Sequence, residues 1–202
     1  LPADRGVNVA ARDNEPLRSA VGNGMVKSVR RLLELPLERG VDPGVVNNGA
    51  LRVACHLGFT AVVKLLLDLP VSRGVDAASH GQRPLRSALR GRHLGIVELL
   101  VTLPAVRGVD AAFNNNRPFL LCCEMGNTRV ARILAHLPRE RGVWPGAHDN
   151  AALHTAYRIG HTGTVAWLLG LPVLMGVDPA SRSQKLLVDA VSQNDGDTVA
   201  LL

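Results

Sequence analysis

The dipeptide Leu-Pro recurs every 34 residues along the whole sequence, without insertion or deletion between copies. The six copies are Leu1-Pro2, Leu35-Pro36, Leu69-Pro70, Leu103-Pro104, Leu137-Pro138 and Leu171-Pro172. In every copy a Gly-Val pair begins four residues after the proline. The register defines repeats over residues 1–34, 35–68, 69–102, 103–136, 137–170 and 171–202. Since a repeat this short buries its apolar face only against its neighbours, the sequence predicts a single repeat solenoid over residues 1–202.

Each repeat contains two stretches with helical spacing, counted here from the Leu of Leu-Pro as position 1. Apolar residues occupy positions 17, 20 and 21, and again positions 29, 32 and 33. Such spacing places them on one face of a helix. The first stretch follows an amide side chain at position 14, interpreted as the helix N-cap, and Gly at position 24 is predicted to end it. The position-14 residues are Asn14, Asn48, Gln82, Asn116, Asn150 and Gln184, and the glycines are Gly24, Gly58, Gly126 and Gly160.

The Leu-Pro segment follows the second predicted helix. Its proline is expected either to kink that helix or to begin a further turn, which Gly at position 6 closes. Arg recurs at position 5 and Asp at position 8, as in Arg73 and Asp76. The recurrence indicates a structural role, in which the guanidinium binds free carbonyls at a helix C-terminus and a local carboxylate.

The order of these columns resembles the ankyrin repeat family. The residues that carry the resemblance, in the fifth repeat and the start of the sixth, are Ala152-Leu153-His154, Ala156, Gly160-His161, Val165, Leu168-Leu169 and Gly176-Val177-Asp178. The resemblance implies an all-α, ankyrin-like helix-turn-helix repeat solenoid and a protein partner. The Thr that this family places before Pro-Leu is absent; Glu15 stands there in the first repeat. The Leu-Pro-x-x-Arg insert is interpreted as about one extra turn on the second helix, and the short Gly6-to-Pro16 segment predicts shortened β-finger loops.

The net charge of +6 comes from 20 Arg and 3 Lys against 17 acidic residues. It is concentrated in the third and fourth repeats, where the candidate partner-binding arginines are Arg83, Arg86, Arg90, Arg92 and Arg117. A basic surface suits an acidic protein or an RNA backbone. A solvated surface of a chain from a GC-rich genome explains the same arginines.

Residues that break the repeat are further candidates, because the fold does not demand them. Trp144 stands in a column that holds Asp in four of the other five repeats, and Phe113, Asn114 and Asn115 are predicted to lie in a loop. Exposed aromatics near Arg are typical of protein interfaces and of base stacking. Tyr157 and Trp167 are interpreted as core residues of the helices.

The sequence contains no motif for catalysis, a cofactor or a metal. It has no phosphate-binding loop with Lys, no His-Glu-x-x-His and no Gly-x-Ser-x-Gly. His148, His154 and His161 share one repeat, but no nucleophile is identified beside a base. Cys55, Cys122 and Cys123 occupy core columns, which predicts small buried residues in an intracellular, reducing compartment. No small-molecule substrate is expected. Membrane insertion is not expected either, because no apolar run approaches the ~18 residues of a membrane span.

The predicted function is therefore a non-catalytic scaffold that binds a protein partner through a surface of several repeats. The alternative is an RNA-contacting accessory subunit of a large ribonucleoprotein, such as an organellar ribosome, that uses the basic third and fourth repeats. A regulatory repeat arm of a larger enzyme also stays open. Because the sequence starts with Leu and has no polar cap at either end, it is interpreted as a fragment of a longer chain.

Overall fold

The structure, a computed structural model, describes residues 11–36, 39 and 41–202. Within these residues the chain forms twelve α-helices and no β-strand. It divides into two compact units, an N-terminal unit (Leu1–Val109) and a C-terminal unit (Asp110–Leu202). The all-α fold is confirmed, whereas a single solenoid over all six repeats stays a prediction.

The N-terminal unit contains three helix pairs. Its first helices are α1 (Ala11–Gly22), α3 (Val45–Leu57) and α5 (Ser79–Arg90), and its second helices are α2 (Val26–Leu33), α4 (Thr60–Leu67) and α6 (Leu94–Val101). Within this unit α3 packs against both α1 and α5, and α4 packs against both α2 and α6. The unit therefore has two layers of helices, with the apolar residues between them.

The C-terminal unit repeats this arrangement. Its first helices are α7 (Phe113–Glu124), α9 (Ala147–Ile159) and α11 (Ser181–Ser192), and its second helices are α8 (Thr128–Ala135), α10 (Thr162–Leu169) and α12 (Gly196–Leu201). The predicted apolar columns are buried through α10, with a few half-buried members. In α11 the register differs: Leu186 is buried, Leu187 is half-buried and Val191 is 62% exposed.

The start of each first helix differs from the prediction. Three consecutive residues there adopt left-handed backbone angles, for example Val46, Asn47 and Asn48 at φ 53°, 58° and 56°. The same turn occurs at residues 12–14, 80–82, 114–116 and 148–150. The N-cap interpretation of position 14 is wrong for the asparagines, because their carboxamide oxygens accept a hydrogen bond from the next repeat and not from the start of their own helix. Position 13 holds Asp, Asn or Gly in these five repeats, the residue types that adopt this conformation most readily.

The buried Asn at position 14 has a different role: its carboxamide oxygen binds the next repeat. Asn48 Oδ1 accepts a hydrogen bond from the main-chain N–H of Asp76 at 2.8 Å. The equivalent bonds join Asn14 to Asp42 (3.1 Å), Asn116 to Trp144 (3.4 Å) and Asn150 to Asp178 (2.9 Å). Each bond spans 28 residues of sequence, so the column braces successive repeats.

The Leu-Pro segment does not lengthen the second helix, contrary to the prediction. The second helix α4 ends at Leu67, and Pro70 has extended backbone angles (φ −55°, ψ 147°) before a separate 3₁₀ turn at Val71–Arg73. Proline disfavours α-helical angles in the residue before it and lacks an N–H, so it separates the two elements. The alternative prediction, a further turn closed by Gly, is confirmed: Gly74 follows at φ 74°. The equivalent turns are Ala105–Arg107, Arg139–Arg141 and Val173–Met175.

The arginine at position 5 binds main-chain carbonyls of earlier repeats. The guanidinium of Arg73 donates to the carbonyl of Leu33, the last residue of α2, at 3.1 Å and to that of Val41 at 3.3 Å. Arg107 makes the same pair of bonds with Leu67 and Val75. The predicted bond to a helix C-terminus is confirmed. The Asp column contacts the main chain instead: Asp76 Oδ1 accepts from the N–H of Ala78 at 2.8 Å.

Candidate partner-binding surfaces

Arginines from two helices of the N-terminal unit surround one cleft. Its lining consists of Arg52 from α3 and Arg83, Arg86, Ser87 and Arg90 from α5, and its volume is about 270 Å³. Arg83, Arg86 and Arg90 are exposed, and Arg52 is half-buried. Thus the structure brings three of the predicted arginines together and adds Arg52. Arg52 and Arg86 occupy the same position in consecutive repeats of the sequence. The packing of their helices, α3 and α5, against each other is known only from the fold.

Arg92 is not part of this cleft. It follows α5 with φ 57°, at the position where Gly24, Gly58, Gly126 and Gly160 adopt left-handed angles after the other first helices. The prediction that glycine ends these helices is confirmed. Arg92 adopts the left-handed backbone angles that glycine has at the equivalent position of four other repeats. Its place in the fold is therefore the end of a helix and not the cleft.

Replacing Arg92 with glycine is expected to stabilise the fold. A non-glycine residue in the left-handed region costs roughly 1–2 kcal/mol, and glycine loses part of this gain through its greater backbone entropy. The free energy of unfolding should therefore rise by about 0.5–1 kcal/mol, measured by urea denaturation. Arg92→Lys is the control, since it keeps the backbone cost. A glycine variant less stable than the wild type would refute this interpretation of Arg92.

The candidate segment Phe113 to Asn115 is not a loop, contrary to the prediction. Phe113 is the first residue of α7 and is half-buried, and Asn114 and Asn115 are exposed in the left-handed turn of that helix. Arg117 lies farther along α7, where its Nη2 is 3.2 Å from Glu124 Oε2. This ion pair offsets the charge of Arg117. The segment from Phe113 to Asn115 therefore has two exposed amide side chains, Asn114 and Asn115, and one half-buried ring, Phe113.

Trp144 is the exposed aromatic of the C-terminal unit, with 42% of its surface accessible. The Arg139 guanidinium carbon lies 6.0 Å from the centroid of its ring. The edge of the ring passes over Gly176, where an added Cβ would come 2.6 Å from the indole Nε1. One side of the indole is thus packed within the unit, and the rest is available to a partner.

Tyr157 and Trp167, interpreted as core residues, are both half-buried. Trp167 lies against the buried ring of Phe119, with centroids 6.3 Å apart, and its ring also faces Arg132. The hydroxyl of Tyr157 is buried without a hydrogen-bond partner among the described residues. Burial, with Asp195 and Asp189 nearby, raises the pKa of Tyr157. Both side chains serve mainly to pack the helices.

The cysteines are confirmed as buried core residues with free thiols. Burial raises the pKa of Cys55 to about 12. It also raises the pKa of Cys123, with a further contribution from the neighbouring Cys122. Thiolate is the reactive form of cysteine, so neither Cys55 nor Cys123 is prepared for nucleophilic chemistry.

The structure places one serine beside a histidine, which the sequence did not predict. His154 Nε2 lies 3.0 Å from Ser181 Oγ, a hydrogen bond between α9 and α11. His161 Nε2 contacts the carbonyl of Glu124 at 3.1 Å in the same inter-repeat manner. Both histidines therefore connect neighbouring repeats. In the part of the chain that the structure describes, no three His, Cys, Asp or Glu side chains form a group that could hold a metal ion.

Comparison with known families identifies the N-terminal repeats. The family model described as "Ankyrin repeats (3 copies)" matches residues 17–111, which include the second half of α1 and the whole of α2–α6. No curated protein matches the chain significantly. Among the described helices, none is long and apolar enough to cross a membrane.

Proposed function

Residues 17–111 belong to the ankyrin repeat family, and from that premise we propose that the chain is a non-catalytic scaffold that holds a protein partner on a surface of several repeats. Ankyrin repeats are protein–protein interaction modules, and the family is typically non-enzymatic. Residues 112–202 lie outside the family match. Their three helix pairs have the same order as those of the N-terminal unit, which supports the extension of the proposal to them.

The observation that carries the proposal is Trp144. The other described repeats place Asp at this position: Asp42, Asp76, Asp110 and Asp178. Each of these carboxylates accepts a hydrogen bond from the amide two residues later, at 2.8–2.9 Å. An indole has no acceptor for this bond. Trp144 therefore gives up a stabilising contact and leaves a large aromatic surface exposed, which is the pattern of an interface anchor.

The test compares the wild type with Trp144→Asp, which restores the residue of the other repeats. Proteins captured by the immobilised full chain are identified, and the captured partner is then purified and titrated by calorimetry. The free energy of unfolding of the variant should stay within about 1 kcal/mol of the wild type. The affinity of the variant for the partner should fall by about thirtyfold, as expected for a central aromatic anchor.

Three results decide this experiment. Unchanged affinity of Trp144→Asp would remove Trp144 from the interface. Absence of any protein that binds the purified wild-type chain would contradict the scaffold itself. A complex that ribonuclease dissolves would favour the second candidate, an RNA-contacting subunit of a ribonucleoprotein, whose specific support is the cleft formed by Arg52, Arg83, Arg86 and Arg90. The buried free thiols support a reducing compartment for either function.

A further inference from the structure

One face of α5 carries three arginines without a balancing acid. Arg83, Arg86, Ser87 and Arg90 are spaced by three, four and seven residues from Arg83, so they lie on the same side of the helix. Arg52 faces them from α3 across the cleft of about 270 Å³. Among the described residues, none of these four arginines has an ion-pair partner. Like charges at this spacing destabilise a helix, so the stability of the fold does not explain the cluster.

The equivalent position is paired in other first helices. Arg117 on α7 corresponds to Arg83, and it pairs with Glu124, which corresponds to Arg90, at 3.2 Å. Lys185 on α11 takes the same position and lies 3.4 Å from Asp189. The repeat therefore accommodates a carboxylate beside this cation. In α5 that carboxylate is replaced by arginine, which leaves the cleft ready for an external anion.

We propose that this cleft binds the phosphate group of a phosphorylated serine or threonine on the protein partner. The proposal rests on the scaffold function above. The planar guanidinium forms paired hydrogen bonds to phosphate oxygens. A phosphate monoester carries about −1.5 to −2 charges at neutral pH and three acceptor oxygens, which suits several arginines better than one carboxylate does. The Ser87 hydroxyl at the cleft supplies a further donor.

The lining favours a phosphorylated side chain over single-stranded RNA. Proteins that bind single strands stack bases on aromatic side chains along a basic groove. The lining here consists of four arginines and one serine. Arg18, the next arginine of the Arg52 and Arg86 column, lies outside this lining and donates to the carbonyl of Arg12 at 3.2 Å. The cationic surface is thus a local cleft that fits one compact anion.

The test is an NMR titration of the full chain with short peptides of glycine and alanine that contain either one phosphoserine or one serine. The Nε–H signals of Arg52, Arg86 and Arg90 should shift saturably with the phosphoserine peptide and stay unchanged with the serine peptide. Arg86→Gln and Arg90→Gln should each weaken phosphopeptide binding by about tenfold, and Arg86→Lys should weaken it by at least about threefold, because lysine keeps the charge without the planar fork. Arg30→Gln, an exposed arginine of α2, is the matched control.

The inference is overturned if both peptides give the same shifts, or if Arg30→Gln weakens binding as much as the cleft variants do. It is also overturned if oligouridine binds more tightly than the phosphopeptide and loses affinity equally in all variants, which indicates general polyanion binding. Phosphatase treatment of the purified partner separates the two proposals. Undiminished binding of the dephosphorylated partner refutes the phosphate site and leaves the scaffold intact. Failure to find any partner, with the peptide titration still positive, refutes the scaffold alone.

Discussion

Replacing Phe119 with alanine is expected to lower the free energy of unfolding of the C-terminal unit by about 3–5 kcal/mol. Phe119 of α7 takes position 17 of its repeat, where the other repeats carry Leu, and only 1% of its surface is accessible. Its ring packs against Trp167 of α10, with centroids 6.3 Å apart and planes tilted by 58°. Alanine would remove the ring from the contact between α7 and α10 and leave a cavity.

Phe119→Leu is the matched control, because leucine occupies the same position in the other repeats and retains most of the apolar contact. Its loss should stay below about 1.5 kcal/mol. The measurement is urea denaturation of the full chain, followed by far-ultraviolet circular dichroism. A loss near 1 kcal/mol or less for Phe119→Ala would mean that Phe119 does not hold the two helix layers together.

The second large effect is expected for Asn48→Ala, which should lower the free energy of unfolding by about 2–3 kcal/mol. Asn48 is 6% exposed, and its Oδ1 accepts the Asp76 N–H at 2.8 Å. Two costs add together. The variant loses the hydrogen bond between repeats, and it places alanine at φ 56°, where asparagine is better tolerated.

Two variants separate these costs. Asn47→Ala changes the neighbouring residue, which is exposed and has φ 58°, so it carries only the backbone cost of about 1 kcal/mol. Asn48→Gly relieves the backbone and removes the hydrogen bond, again worth about 1 kcal/mol. Equal losses for Asn47→Ala and Asn48→Ala would show that the carboxamide does not brace the repeats.

The helix pairs could be predicted from the sequence because burial between neighbouring repeats imposes a strict column pattern. Leu17, Leu51, Leu85, Phe119 and Leu153 share one column and are all buried. The Gly that follows four of the first helices was visible for the same reason, since few residues tolerate left-handed angles. Features set by a repeated local constraint can be read from a single chain.

The start of the first helix could not be predicted as easily, because Asn followed by Pro is also the ordinary pattern of a helix N-terminus. The distinguishing signal is Asp13, Asn47, Gly81, Asn115 and Asp149 at position 13. These residue types tolerate left-handed angles, and no N-cap requires them there. The Leu-Pro segment was ambiguous in a similar way. Only the backbone angles of Pro70 distinguish a separate 3₁₀ turn from a longer helix.

The candidate surfaces were predicted as residue types, and the structure shows which of these residues lie together. The cleft depends on the packing of α3 against α5, so the contribution of Arg52 to it is a property of the fold. The pairing of Arg117 with Glu124 was detectable from their seven-residue spacing on one helix. Trp144 was found because it departs from its column.

Hydrogen–deuterium exchange of the full chain, with and without its purified partner, tests most directly whether the chain is a scaffold that binds through several repeats. We expect slower exchange in peptides from at least two repeats, including those that contain Trp144 or the α5 arginines, while the second helices α4 and α10 change little. Protection confined to a single repeat, or no protection in either unit, would contradict the scaffold function.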